Sequence, residues 1–331
     1  MASALSASGE DSLIARYFRP LATDPGAFNL DDDAAAITST GDDIVVTTDA
    51  IVEGVHFLAD DPPDTVARKA LRVNLSDLAA KGAVPSGFVL TLALRNAEES
   101  WLKAFAAALG EDARQFGCPL LGGDTVSTPG PLMISITAFG GVPSGKMVHR
   151  SGAKPGDRVV VTGTIGDAAL GLAVLSGGKV HAGLSDGAAR DHLISRYRVP
   201  QPRVALARIV REYASAAMDV SDGLAGDLTK LCGVSAVSAV IDLDSIPLSE
   251  AARDLVSRGI AGIETLVAGG DDYEILCAVA DDRAEAFAQA AKRAGVALSS
   301  IGMVVAGNAV PQFLDAQGRE IVLKRRSYSH F

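Results

Sequence analysis

The stretch "AMDVSDGLAGDL", residues 217–228, sets Asp219, Ser221, Asp222 and Asp227 into a run of small and apolar residues. "AMDV" reads as the end of a strand, and "DGLAGDLTKL" as a helix whose Leu224, Leu228 and Leu231 recur at i, i+4 and i+7. Asp222 is placed to cap that helix by accepting from an orphan N–H of its first turn. Asp227 lies off the Leu stripe and reads as solvated. Asp219 shares a strand face with Ala217, where an ionised carboxylate needs a partner. A cap-and-turn reading and a metal or phosphate site both stay open for this motif.

The other carboxylates repeat the pattern. Of the 40 acidic residues 29 are Asp, and they gather in "LDDDAAAI", "TTDAIVEGVHFL", "LSDLAAKGA", "GGDTVS", "MDVSDG" and "GGDDYEI". Asp favours turns and caps, so part of this enrichment is structural. The rest stands beside apolar strands and suits a hard divalent ion, which takes oxygen ligands from a few carboxylates and completes its shell with phosphates. In the helix expected from Asp64 to about Gly82, Val66, Ala70 and Val73 form the buried stripe. Asp77 returns to that stripe and is predicted to point inward. "DIVVTTDAIVEGVHF" reads as a strand ending in Thr47, Thr48 and Asp49, two hydroxyls and a carboxylate suited to a metal or its waters. His56 follows, either an ordinary packed histidine or a ligand beside Asp49. "PLLGGDT" runs a strand into Gly122, Gly123 and Asp124, where glycines permit a close ligand approach or a plain turn.

The elements that must position these groups are those of a globular chain. With 331 residues, 48% hydrophobic and 21% charged, it has material for two domains with their own cores. "VPSGKMVHRSGAKPGD", residues 142–157, is the best boundary, and it concentrates Lys146, His149, Arg150 and Lys154. Arg150 carries the planar fork that clamps a phosphate, with a solvated hinge loop as the alternative. "RVVVTGTIGDAALGLAVL" runs strand, glycine turn and helix, yet Gly163, Gly166 and Gly171 lack G-x-G-x-x-G spacing and no P-loop occurs. Gly166 is therefore assigned to a tight turn and helix packing. The net charge of −10 speaks against nucleic acid as the main partner. No apolar run approaches the roughly 18 residues of a membrane span, and the first residues lack the pattern of a signal peptide. Cys118, Cys232 and Cys277 are few, odd in number and far apart, which fits reduced thiols and a cytoplasmic location.

Taken together, "GEDSLIARYF", "TTDAIVEGVHFL", "KALRVNLSDLAAKGA", "LGGDT", "RSGAKPGDRVVVTGTIGDAALGL", "MDVSDGL", "GGDDYEI" and "YSHF" resemble the thiamine-monophosphate kinases, a family of the aminoimidazole-ribonucleotide-synthetase-like superfamily. The motifs follow the family's order from about Gly9 to Phe331. The resemblance implies the two-domain α+β / α/β fold of that superfamily. Residues 1–148 would form an ATP- and Mg-binding dimerisation domain whose sheet makes the dimer junction, and 149–331 an α/β domain with a mixed sheet. It implies direct in-line transfer of the γ-phosphoryl group of ATP to thiamine monophosphate, several Mg²⁺ ions, and a homodimer with no nucleic-acid or membrane partner.

Carried over by motif, metal binding falls on Asp33, Thr47, Thr48, Asp49, Asp77, Asp124, Asp219 and Asp222. Nucleotide contacts fall on Gly123, Asp124, Arg150 and Ser221, and thiamine-phosphate contacts on His56, Asp271 and Tyr328. Asp49, Asp124, Asp219, Asp222 and Arg150 are the expected catalytic set. Two departures stand out: Asp31-Asp32-Asp33 where the family usually has Gly-Asp-Asp, and Asp271 where it usually has Glu. Two other readings stay in view, a sister ATP-dependent enzyme such as an aminoimidazole-ribonucleotide synthetase, and a non-catalytic nucleotide and Mg²⁺ sensor.

Overall fold

The computed structural model describes residues 14–24, 41–184 and 187–323. Asp31, Asp32, Asp33 and Tyr328 lie outside the described residues. The chain divides into two compact units, residues 1–74 with 85–144, and residues 75–84 with 145–331.

The first unit is built on a four-stranded sheet of β1 (Asp43–Val52), β2 (Val84–Leu94), β3 (Leu120–Ser127) and β4 (Met133–Val142), in the order β1-β4-β2-β3. β1 runs antiparallel to β4, and β2 parallel to β3. A parallel pair needs a crossover, and the helix Glu99–Phe116 supplies it, ending on Gly117 at φ 62°. That helix buries Leu102, Phe105 and Leu109, while Trp101 is half-buried and stacks on Phe105 at 4.9 Å. Its Asp112 is fully buried and accepts from Arg68 and Arg72, each at 2.5 Å. β1 alternates cleanly. Val45 and Ile51 are buried on one face with Thr47 and Asp49 partly so, while Ile44, Val46, Thr48 and Ala50 are exposed on the other.

The helix Pro63–Ala80 begins with proline, whose missing N–H costs nothing in the first turn. Val66, Ala70 and Val73 are each 2% exposed, as the stripe requires, but burial goes further. From Leu71 to Ala80 every residue except Asp77 is buried. Its final turn belongs to the second unit, where Ala79 and Ala80 pack with Val160, Val210, Ala217 and Cys277. One cut in the chain cannot express that arrangement.

The second unit holds a six-stranded mixed sheet in the order β10-β7-β9-β5-β8-β6. Its strands are β5 (Arg158–Thr162), β6 (Ala214–Asp219), β7 (Val237–Asp242), β8 (Ile275–Val279), β9 (Leu298–Ala306) and β10 (Gln312–Leu314). All neighbours are antiparallel except β10 and β7. Alternation divides the core between the two faces. Val159, Val161 and Met218 pack with Leu224, Leu228 and Leu231 of the helix Leu224–Ser235. Val160, Ala217 and Cys277 pack with Val210 and Phe287 from the helices Ala207–Tyr213 and Asp281–Arg293. With both faces covered, the strands read as continuous apolar runs. Gly166 takes φ 88°, and a Cβ there would meet the Leu266 side chain at 2.5 Å, so the turn and the close packing both require glycine. No helix among the described residues is long and apolar enough to cross a membrane.

Candidate active site

Five segments of the second unit bring the sequence-derived residues together: the end of the Pro63–Ala80 helix, the segment 148–153, the end of β6, the loop after it, and the loop before β8. β6 is an edge strand, and its Ala217 N–H donates to the His149 carbonyl at 2.9 Å while the Ala217 carbonyl accepts from Lys81 Nζ at 2.7 Å. Val148 N–H in turn donates to the Lys81 carbonyl at 3.1 Å. Arg150 is thereby carried along the β6 edge with its side chain exposed, and its carbonyl accepts from Ser235 Oγ.

Asp219 closes β6 at only 4% exposure. Asp77, partly buried, stands one helical turn before Lys81, and the Lys81 N–H closes that turn on the Asp77 carbonyl at 2.9 Å. The Lys81 ammonium feels all of these groups. Burial and then the Arg150 charge pull its pKa below the ordinary 10.5, while Asp219 and Asp77 pull it back up. Lys81 carried no signal in the sequence beyond a helix end, yet its ammonium binds the β6 backbone two residues before Asp219.

The loop after β6 differs from the expected cap. The helix starts at Leu224 behind Gly223, and Asp222 makes no side-chain cap bond. Instead Asp222 pairs with Lys230 at 2.5 Å. Asp227, read as solvated, is fully buried: it lies three residues beyond Leu224, next to the Leu stripe, accepts from the Asp222 N–H at 3.0 Å and pairs with Lys230 at 2.8 Å. Burial raises its pKa against the pull of Lys230.

The loop before β8 extends the β6–β8 ladder. Asp271 N–H donates to the Ser221 carbonyl, Tyr273 N–H to the Val220 carbonyl, and Val220 N–H to the Glu274 carbonyl, each at 2.8 Å. Ser76 Oγ, beside Asp77, reaches the Tyr273 carbonyl at 3.5 Å. Asp271 and Tyr273 both sit at positive φ, 72° and 50°. Asp tolerates the left-handed region better than Glu, so the departure at 271 suits this backbone. The loop is held from below by buried charges. Glu274, with no exposed surface, accepts from Thr162 Oγ1 and Arg203 Nε at 2.6 Å, from Arg196 Nη2 at 2.9 Å, and from Arg203 Nη2. Asp272 accepts from the Gly166 N–H at 2.8 Å, and burial raises its pKa well above the carboxylate range.

The first unit carries the remaining residues. Asp49 N–H donates to Asn74 Oδ1 at 3.1 Å, which ties β1 to the Pro63–Ala80 helix. Thr47 shares the face of Asp49, whereas Thr48 points to the open face, where its hydroxyl accepts from Thr137 Oγ1 at 2.9 Å. The three side chains therefore do not converge, since a strand alternates them. His56 Nδ1 accepts from the Val52 N–H at 3.0 Å, and its carbonyl takes Lys69 Nζ at 2.7 Å. Gly123 and Asp124 are exposed on β3. A Cβ on Gly123 would lie 2.0 Å from the Leu90 carbonyl oxygen, so close strand packing already demands this glycine. β1 and β3 are opposite edges of the sheet, so three strand spacings, roughly 14 Å, separate the strands that carry Asp49 and Asp124. Among the described residues no group of three or more His, Cys, Asp or Glu side chains is gathered to hold a metal ion.

Comparison with known proteins places these features in a family. Residues 31–142 match the family model for the AIR synthase related protein, N-terminal domain, and residues 154–311 that for its C-terminal domain. The thiamine-monophosphate kinase of Caulobacter vibrioides is 46% identical over 96% of this chain and 89% of its own length, and that of Salmonella typhimurium 39% over 98% and 99%. Among solved structures, thiamine-monophosphate kinase from Stenotrophomonas maltophilia is 36% identical with a TM-score of 0.82, covering 94% of this chain and 96% of that one. The complex of AaThiL with AMPPCP and TMP is 29% identical with a TM-score of 0.76, covering 91% of each chain. The chain, with its two AIR synthase related domains in order, belongs to the thiamine-monophosphate kinase family.

Proposed function

We propose that the chain phosphorylates thiamine monophosphate with ATP, giving thiamine diphosphate and ADP. The observation that carries this reading is the near-full-length similarity to thiamine-monophosphate kinases, at 46% identity over 96% of the chain. The bond that forms joins an acceptor phosphate oxygen to the γ-phosphorus, and the bond that breaks is the γ-phosphorus to β-bridging oxygen bond. The attacking oxygen is already anionic, because a phosphomonoester's second pKa is about 6. No general base is needed, and catalysis reduces to in-line alignment and neutralisation of charge.

The proposed donors are carboxylates and hydroxyls, the hard oxygen ligands that suit Mg²⁺, and Mg²⁺ is typically held by only one or two carboxylates together with substrate phosphates and water, so it does not require a full protein cage. Bound there, Mg²⁺ would shield the phosphates from one another. The residues proposed to bind such ions are Asp77, Asp219 and Asp222 in the second unit and, by themselves, Asp33, Thr47, Thr48, Asp49 and Asp124 in the first. Arg150, exposed at the β6 edge, would clamp phosphate oxygens, with Ser221, Gly123 and Asp124 at the nucleotide. His56, Asp271 and Tyr328 would meet the thiamine phosphate.

The working form is proposed to be a homodimer joined through the first unit. Its sheet leaves Ile44, Val46 and Val126 exposed at 46%, 56% and 42%, and Phe139 lies opposite Val46 in the register. Covering these with the same face of a second copy would bury them. The three buried, unpaired cysteines suit the reducing cytoplasm as its site of action. Equal amounts of ADP and thiamine diphosphate, formed with Mg²⁺ and abolished by EDTA, test the function.

A further inference from the structure

We propose that His56 acts as a hydrogen-bond donor through Nε2–H, held in that tautomer by the Val52 N–H, and that it reads the phosphate rather than the rings of the thiamine ester. The inference rests on the reading of His56 as a thiamine-phosphate contact. Val52 ends β1, and its N–H donates to His56 Nδ1 at 3.0 Å. A backbone N–H can only donate, so Nδ1 must offer its lone pair, and the ring proton sits on Nε2. Neither the Nδ1–H tautomer nor the imidazolium keeps this bond, since each would set two N–H groups against each other. The backbone beneath the ring is fixed as well. His56 N–H donates to the Val52 carbonyl at 2.9 Å, Gly54 N–H to the Phe57 carbonyl at 2.8 Å, and Glu53 N–H to the Leu132 carbonyl at 3.0 Å. Phe57 is buried, and the buried Lys69 donates to the His56 carbonyl at 2.7 Å. The half-buried imidazole thus hangs from a turn whose backbone and ring both bond to Val52.

This assignment decides what the ring can do. With Nδ1 occupied and Nε2 protonated, it has no lone pair with which to take a proton, so it is not a base. What it offers is a donor, which demands an acceptor on the ligand. The phosphate oxygens of a thiamine ester supply one, and an N–H on an anionic oxygen makes the strong, charge-assisted kind of bond.

Two measurements on the full chain test this. Imidazole nitrogen NMR of histidine-labelled protein at pH 8, with the His56 signals identified by their absence in His56→Gln, should show the proton on Nε2. A proton on Nδ1, or on both nitrogens, overturns the assignment. With Mg²⁺ and a non-hydrolysable ATP analogue present, thiamine monophosphate should then move the Nε2 signal, and thiamine, which lacks the phosphate, should not. Calorimetric titration reads the same contact as affinity. His56→Asn, whose short amide can still face Val52 but no longer places a donor at the Nε2 position, should bind thiamine monophosphate more weakly by on the order of tenfold and thiamine unchanged. His56→Gln, which keeps a donor near that position, should lose less. Equal losses for both ligands, or an unmoved Nε2 signal with thiamine monophosphate bound, overturn the phosphate contact. An Nε2–H ring in a wild type that binds no thiamine monophosphate overturns the proposed function and the phosphate contact with it.

Discussion

Glu274→Gln probes the device that fixes the loop carrying Asp271. The carboxylate has no exposed surface and accepts from Thr162 Oγ1, from two nitrogens of Arg203 and from Arg196 Nη2. The Arg196 and Arg203 side chains are 9% and 22% exposed, so water offers them little compensation. An amide keeps one accepting oxygen but turns an N–H₂ toward Thr162 and Arg203, and it leaves two guanidiniums without their counter-charge. Removing one partner of a buried ion pair typically costs about 3–5 kcal/mol, and the retained oxygen places this variant near about 3 kcal/mol. For a unit of about 200 residues that corresponds to a fall of roughly 6–12 °C in the melting midpoint of the second unit. Thermal unfolding followed by circular dichroism and calorimetry measures it. Combining Glu274→Gln with Arg203→Met should cost less than the sum of the two single changes, because they share one interaction. A midpoint within about 2 °C of wild type, or strict additivity in the double variant, would refute the claim that this carboxylate is the counter-charge holding the loop.

Three further outcomes are expected. Val46→Asp places a charge on the open face of the first sheet and should turn the proposed homodimer into monomer in light scattering; an unchanged dimer would move the junction elsewhere. Asp49→Asn and Asp124→Asn should each abolish turnover, and wild-type turnover in either would remove that residue from the mechanism. The thiols of Cys118 and Cys277 are pushed from 9.0 up to about 12 by burial, and that of Cys232 to about 11, so none should react with a disulfide reagent at pH 8 until the protein unfolds. Their folded pKa values are raised, so the stability they contribute is complete below pH 9 and is lost as pH climbs through 11 to 12, which alkaline unfolding curves report.

The sequence carried the outline of the site further than its inner contacts. Asp219 is buried on a strand whose two faces are both covered, so alternation alone does not decide its place, and Asp77, expected to point inward, is the one residue from Leu71 to Ala80 that is only partly buried. The periods report direction, and on elements packed from every side direction says little about exposure. Asp227, expected in water, lies inside because an offset of three from Leu224 shares the face of the Leu stripe. Lys81 follows a helix end, and nothing local announces that Ala217, distant in sequence, offers it a carbonyl. The left-handed backbone at Asp271 and Tyr273 has no glycine to mark it; long-range hydrogen bonds to Ser221 and Val220 impose it. Thr48 is the reverse case, where the strand period already put it on the opposite face from Thr47 and Asp49.

The central claim is direct phosphoryl transfer, and the most direct measurement follows the label. Purified protein is mixed with thiamine monophosphate, Mg²⁺ and ATP labelled in its γ-phosphate, and the products are separated. The label should appear in the terminal phosphate of thiamine diphosphate, one for each ADP formed. Label released as inorganic phosphate, or ATP bound without any thiamine diphosphate, would contradict the account.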